Sequence, residues 1–494
     1  MLVIISDLHL TDGSTGKTAG TGAFEIFGQR LQDLAIGASW RTDGTYRPIE
    51  KIDLVLLGDV LDIVHSSRWL QSNVRPWHDV HAPEMSDVVA RVVDDILRHN
   101  SRSLQCLRLL AAENAVRVPV GTHTGQPDPI AQPITVPVRT QYMVGNHDWH
   151  LHLRGATYDL LRQKVAHNLG LANSHTKPFP HDPAECEELL ETLRRHRVFA
   201  RHGDIYDPLS FTEDRDSSSL GDAIAIELNG RFLAEVQQEM KGDLPESITA
   251  ELKQIENIRP LLLVPVWIDG VLQRGCPKPS ARKQVKNTWD RLADELLNMP
   301  IVRERDTLCP FNLVDGLEGA LKFSKRLSTG WATKISDWLH SLRGSSSDSY
   351  YQHALSEQDF RNRRARHIVY GHTHKSETVP LDASYADSFV LNQMYFNTGT
   401  WRRVYSPTIY SPGQHEFIPS ETMSYLAFFQ GDERGGRPFE TWSGTLGVNP
   451  VGVNQPRENA QQPSQTGSQQ VSASNINPPH FATISAPRHM LATE

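Results

Sequence analysis

Short apolar runs that end abruptly in aspartate, histidine or asparagine recur along this chain, and that alternation constrains its fold more than any other feature. Leu2–Ser6 runs into Asp7-Leu8-His9, and Asp53–Leu57 runs into Gly58-Asp59-Val60-Leu61-Asp62. Gln141–Val144 precedes Gly145-Asn146-His147-Asp148, Val198–Arg201 precedes His202-Gly203, and His367–Tyr370 precedes Gly371-His372-Thr373-His374. Short runs that are apolar throughout, rather than alternating, read as strands buried on both faces of a sheet. In open α/β sheets, ligands bind outside the carboxyl ends of the strands. Five clusters far apart in sequence are therefore expected to converge on one rim.

Their side chains suit two adjacent cations. Asp7 and His9 are two residues apart, and so are His372 and His374; in an extended chain such pairs point to the same side. Asp59 offers a carboxylate able to bridge two ions, and Asn146 offers a neutral amide oxygen. A set of Asp, His and Asn favours two divalent transition-metal ions, Mn²⁺ first, with Fe or Zn²⁺ as alternatives, over Mg²⁺ or Ca²⁺ alone. Ions about 3.5–4 Å apart can clamp the oxygens of a phosphoryl group during in-line attack.

The order D-x-H, G-D-x-x-D, G-N-H-D, H and G-H-x-H resembles the calcineurin-like metallophosphoesterase superfamily, over residues 1–218 and 361–446. The resemblance implies an α/β fold, a four-layer αββα sandwich with the metals at one edge. It assigns Asp7, His9, Asp59 and His374 to one ion, and Asp59, Asn146, His202 and His372 to the other. It makes His147 the group that protonates the leaving oxygen and Asp62 the group that orients its ring, with Asp148 a local structural partner. The GDVLDIV stretch lacks the Arg-Gly of the phosphoprotein phosphatases, which points away from phosphoproteins. Thr398-Gly399-Thr400-Trp401 resembles bacterial members.

The rest of the chain divides by texture. Met85, Val88, Val89, Val92, Val93, Ile96 and Leu97 recur at helical spacing, which predicts an amphipathic helix over 84–100. Thr122–Pro137 reads as a loop. Residues 219–360 carry no ligand motif and read as a helical insertion or cap; Val285, Trp289, Leu292, Leu296 and Leu297 mark one helical face, and Leu327, Trp331, Ile335, Trp338 and Leu342 another. Arg343–Tyr350 reads as a flexible return. Met423–Phe429 and Phe439–Trp442 flank the turn-rich Gly431–Gly436 and predict a hairpin. Residues 447–494, rich in Pro, Gln, Asn and Ser, predict a disordered tail.

Net charge is −8 over 494 residues, so no overall basic field attracts nucleic acid, although nucleic acid stays open as a substrate. Cys106, Cys186, Cys276 and Cys309 form no CxxC pair, and the N-terminal run has no basic n-region. With no apolar run long enough to cross a bilayer, the expectation is a cytoplasmic chain without a membrane span.

Other residues admit two readings. His150, His152 and Arg154 either touch substrate or are solvated loop residues. Arg402 and Arg403 are candidate phosphate contacts. Arg361, Arg363, Arg364 and Arg366 read as the solvated end of a helix, and Trp267 and Trp289 as core rather than base-stacking platforms. The functional expectation is a dinuclear hydrolase of phosphodiester, pyrophosphate or phosphomonoester bonds. A metal-dependent nuclease acting within a complex and a catalytically dormant scaffold are the alternatives.

Overall fold

Strand β1 (Leu2–Ile5) has no solvent-exposed face, since all four of its residues are fully buried. It pairs in parallel with β2 (Ile52–Leu57), which pairs in parallel with β3 (Val138–Met143). The computed structural model describes residues 1–112, 115–259, 261–305, 321, 350–386, 389–407 and 417–446, which belong to one compact unit. A second sheet contains β4 (Val198–Ala200), β5 (His367–Tyr370), β6 (Ser376–Ala386) and β7 (Phe389–Thr398), with β4, β5 and β7 parallel. The hairpin of β8 (Thr422–Phe428) and β9 (Phe439–Thr445) adds to the open edge of β1, so the first sheet runs β9-β8-β1-β2-β3. The second runs β6-β7-β5-β4. Both sheets are mixed, and the chain is a mixed α/β protein.

The period-2 alternation of side chains decides what each sheet packs against. Leu2, Ile4, Val55, Leu57 and Met143 share one apolar cluster with Val198, Ala200, Val369 and Phe396 of the second sheet, so the two sheets meet face to face. Val3, Ile5, Leu54 and Leu56 point the other way, into a cluster with the helices α1 (Thr21–Ala38), α2 (Pro83–His99), α3 (Ser101–Ala112) and α4 (Ala156–Leu169). The seven apolar positions that predict α2 are all buried, each worth about 1.5–3 kcal/mol relative to exposure. Pro83 at the start of α2 suits a helix N-terminus, where its missing N–H has no intrahelical partner to lose. Ile368, Tyr370 and Tyr395 on the outer face of the second sheet pack with Ala354 and Phe360.

Among the described residues of 219–360, helices cover Arg231–Glu239, Glu246–Leu252, Val264–Gly275 and Pro279–Leu297. They enclose a core of their own, in which Trp267 and Trp289 are buried. Tyr405, from beyond the insertion, joins that core, and Glu227 pairs with Arg75. Within the expected Thr122–Pro137 loop, Pro127–Asp128 and Ile134–Thr135 are short strands, paired antiparallel with Val120–Gly121 and Arg117–Val118 just before it. Arg361, Arg363 and Arg364 are exposed. Cys309, the second expected helical face, most of Arg343–Tyr350 and the expected tail lie outside the described residues. Among those described, no helix is long and apolar enough to cross a membrane.

Candidate metal centre

The five polar clusters converge at the carboxyl ends of β1, β2, β3, β4 and β5. Asp7, His9 and His374 form one group of donor atoms, and Asp59, His202 and His372 form a second. Asp59 links them: its Oδ2 is 3.7 Å from Nε2 of His9 and 3.1 Å from Nε2 of His202. Nε2 of His374 lies 3.4 Å from Asp7 Oδ1 and 2.9 Å from Nε2 of His9. His372 Nε2 meets Asp207 Oδ2 at 3.1 Å. Asp7, His9, Asp59, Asn146 and His202 are all buried.

The extended geometry expected for Asp7/His9 and His372/His374 is not how these residues converge. Asp7, His9, Asp59, His372 and His374 all adopt left-handed backbone conformations, with φ of 52°, 44°, 51°, 67° and 60°. Such conformations disfavour residues with a Cβ and cluster where surrounding structure holds a functional geometry in place. The strands end one or two residues before each motif, and at Asp7, His9, Asp59, His372 and His374 the backbone then turns left-handed. The motif glycines make room for this. A Cβ on Gly145 would stand 2.3 Å from Asp59 Oδ1, and one on Gly58 would stand 2.5 Å from His202 Nδ1.

Three buried atoms in the centre have no aligned hydrogen bond among the described residues: Asn146 Oδ1, and Asp59 Oδ2 and His202 Nε2, which face each other at 3.1 Å. Buried polar groups are almost always satisfied, so three such atoms around one point fit a shared cation. His202 Nδ1 donates to the Leu57 carbonyl at 2.9 Å, which leaves the Nε2 lone pair free, as in metal-ligating imidazoles. Burial pushes the Asp59 carboxyl up, but His202, His147 and His9 outweigh it and hold it well below the usual carboxylate range. The residues present therefore fit two cations.

His147 Nδ1 meets Asp62 Oδ1 at 3.0 Å, and its Nε2 lies 3.8 Å from Asp59 Oδ2. Burial lowers the His147 pKa, while Asp59 and Asp62 more than offset that and raise it. Asp148 accepts from the amides of Gly145 and Val60 at 2.6 and 2.8 Å and from the Tyr142 hydroxyl at 2.5 Å. It thereby ties two of the motif loops together. Thr400 Oγ1 and the Trp401 amide donate to the Asp7 carbonyl at 2.7 and 3.1 Å, so Thr398–Trp401 cradles the first motif.

Several expected contacts fall elsewhere. Arg402 is buried, donates to Asp62 Oδ2 at 2.9 Å and bonds Asn257, while its Nη2 has no hydrogen-bond partner among the described residues. Arg403 pairs with Glu421 at 2.7 Å. Arg154 is exposed and lines a surface pocket with His81, Asp87 and Tyr158, which no ligand of the two groups lines. His150 is neither solvated nor poised for substrate. It is buried between Trp69 and Trp149, with both ring nitrogens unpartnered among the described residues, and burial lowers its pKa to about 3.

Three neighbours were missed from sequence. His65 Nδ1 lies 2.8 Å from Asp62 Oδ1, and its Nε2 lies 2.7 Å from Glu256 Oε2. Glu256 and Asn257 both come from the helical insertion. The three-residue step from Asp62 to His65 was visible in the sequence; nothing local marks Glu256 or Asn257. No protein-family model and no curated protein matches the chain.

Proposed function

We propose that this chain is a dinuclear-metal phosphoesterase of the calcineurin-like type, acting on phosphodiester, pyrophosphate or phosphomonoester bonds. The observation that carries the reading is a set of buried donor atoms without aligned hydrogen bonds, Asp59 Oδ2, Asn146 Oδ1 and His202 Nε2. They stand beside a second group of Asp7, His9 and His374 that shares the Asp59 carboxylate. On this reading the two facing sheets and the helices outside them are the αββα sandwich of that superfamily, and the protein works in the cytoplasm.

Asp7, His9, Asp59 and His374 would hold one ion, and Asp59, Asn146, His202 and His372 the other, with Mn²⁺ the first candidate. Such ions, when bound, polarise the phosphoryl group and activate water. The chain's own residues do the rest. Asp62 fixes His147 through Nδ1, which presents Nε2 to the cleft for donating a proton to the leaving oxygen. Asp62, hydrogen-bonded at Nδ1, favours the protonated imidazole needed for that step. The absence of Arg-Gly after Asp62 supports a small phosphate ester over a phosphoprotein.

The test is a panel assayed after metal reconstitution: p-nitrophenyl phosphate, its bis-ester, cyclic nucleotides, nucleoside-diphosphate sugars, and single- and double-stranded DNA. Turnover of the bis-ester or of a pyrophosphate, dependent on Mn²⁺, is expected. A protein that binds no transition metal and turns over none of the panel would overturn the reading, and preference for DNA would move it to the nuclease alternative.

A further inference from the structure

Away from the Asp59 centre, His152, His181 and Glu185 bring three donor atoms together on a partly exposed face. We propose that these residues form a separate, mononuclear zinc-type site, independent of the phosphoesterase reading.

The geometry follows from two turns. His152 closes the turn Trp149–His152 that follows His147, and Glu185 closes the turn Pro183–Glu185, preceded by His181. Glu185 lies between the imidazoles, with Oε1 3.0 Å from His181 Nδ1 and Oε2 3.5 Å from His152 Nε2. Ligands about 2.0–2.2 Å from a tetrahedral zinc stand about 3.3–3.5 Å from one another. The 3.5 Å separation is that of ligands sharing an ion, the 3.0 Å one is shorter, and one donor atom from each residue lies within 4.8 Å of the other two.

Two further observations point to a cation rather than to plain ion pairs. His181 Nδ1 is shielded from solvent and has no aligned hydrogen bond among the described residues, although Glu185 Oε1 is within reach. A simple His–Glu bond would turn the N–H toward that oxygen. His152 Nδ1, meanwhile, meets Asp216 Oδ1 at 2.6 Å. A carboxylate on the far ring nitrogen fixes the tautomer of metal-bound histidines and leaves the other nitrogen free to ligate. Glu185 is itself held in place, because its Oε2 accepts from the His181 amide at 2.9 Å.

Two histidines and one glutamate make three protein ligands, and the side chains keep between 15% and 36% exposure. That leaves a fourth position open to water, the arrangement of a His₂Glu zinc site. Because His152 lies five residues after His147, an ion here would pin the turn behind the His147 loop to the 181–185 turn. The site is thus placed to act as a staple for the loop that carries His147.

Full-length protein, stripped with a chelator, would be titrated with Zn²⁺ calorimetrically, and with Co²⁺ by its visible absorption. His152→Ala, His181→Ala and Glu185→Gln should each bind one equivalent fewer than wild type. The Gln variant keeps an oxygen for the His181 amide, so its fold is preserved. Asp59→Asn should retain this equivalent, which separates failure of the present site from failure of the phosphoesterase reading. Unchanged stoichiometry in His181→Ala and Glu185→Gln overturns the proposal.

Discussion

The Glu256 carboxylate lies 2.7 Å from Nε2 of His65, and through that contact the helical insertion reaches Asp62, the hydrogen-bond partner of His147. His65 in turn holds Asp62, and Asp62 also touches His9, His147 and Arg402. Arg402 also bonds Asn257, again from the insertion. Among the described residues, segment 219–360 contributes no donor to either group but supplies two members of the buried network beneath them. Excising it would strip partners from His65 and Arg402, so a core lacking it is expected to lose stability as well as substrate selectivity.

That contact gives the first prediction. Burial opposes charge on His65, but Asp62 and Glu256 raise its pKa to about 9. A histidine raised this way stabilises the fold fully below its unfolded pKa of about 6.5 and loses that contribution as pH climbs through about 9. Glu256→Gln should cost about 3 kcal/mol near pH 6, with the gap from wild type narrowing above pH 9. Thermal melts across pH 6–10 measure this, and a gap that stays constant with pH would contradict it.

Much of the centre was legible because each motif is local. A strand of apolar residues followed by Asp, Asn or His states both the element and the donor, and β1, β2, β3, β4 and β5 lie where the runs predict them. The backbone route was less legible. Asp and His at positive φ carry no composition signal of their own, so Asp7 and His9 read as extended although each turns left-handed. The contacts of Glu256 and Asn257 depend on how the insertion packs back onto the rim, and such long-range pairing leaves no local pattern. His150 misled because a histidine beside a catalytic motif looks functional, while its burial depends on Trp69, a distant neighbour in sequence.

Asp59→Asn should remove both ions of the centre. Its carboxylate faces both groups, at 3.7 Å from His9 Nε2 and 3.1 Å from His202 Nε2, and an amide would present one neutral oxygen where two cations need a shared charge. Elemental analysis of the purified variant should show about two fewer equivalents than wild type. Retention of both would mean that Asp59 does not bridge.

His147→Ala separates chemistry from binding. Asp62 would lose one partner, but no donor of the two groups would be removed, so metal content should stay at the wild-type level. Turnover of substrates with poor leaving groups should fall about 10²–10⁴-fold. Substrates that release p-nitrophenolate, which needs little protonation, should lose much less. Equal loss across all leaving groups would show that His147 positions phosphate instead of protonating the departing oxygen.

His150 offers a prediction about stability alone. Its ring sits 4.1 Å from that of Trp149 and 5.8 Å from that of Trp69, in near-parallel stacks, with neither nitrogen satisfied. A buried ring with no partner is a cost that phenylalanine would not carry, so His150→Phe should stabilise the protein by about 1 kcal/mol at pH 7. The pH dependence is sharper. With a folded pKa of about 3 against about 6.5 unfolded, the unfolded chain takes up a proton that the folded one refuses. Wild type therefore loses stability as pH falls from about 6.5 toward 3, at up to about 1.4 kcal/mol per pH unit from this residue. The phenylalanine variant has no such proton to bind, so its advantage over wild type should widen steadily on acidification. Denaturant midpoints at pH 7, 6 and 5 measure that widening, and an advantage that does not grow would mean His150 is accessible to protons in the folded state.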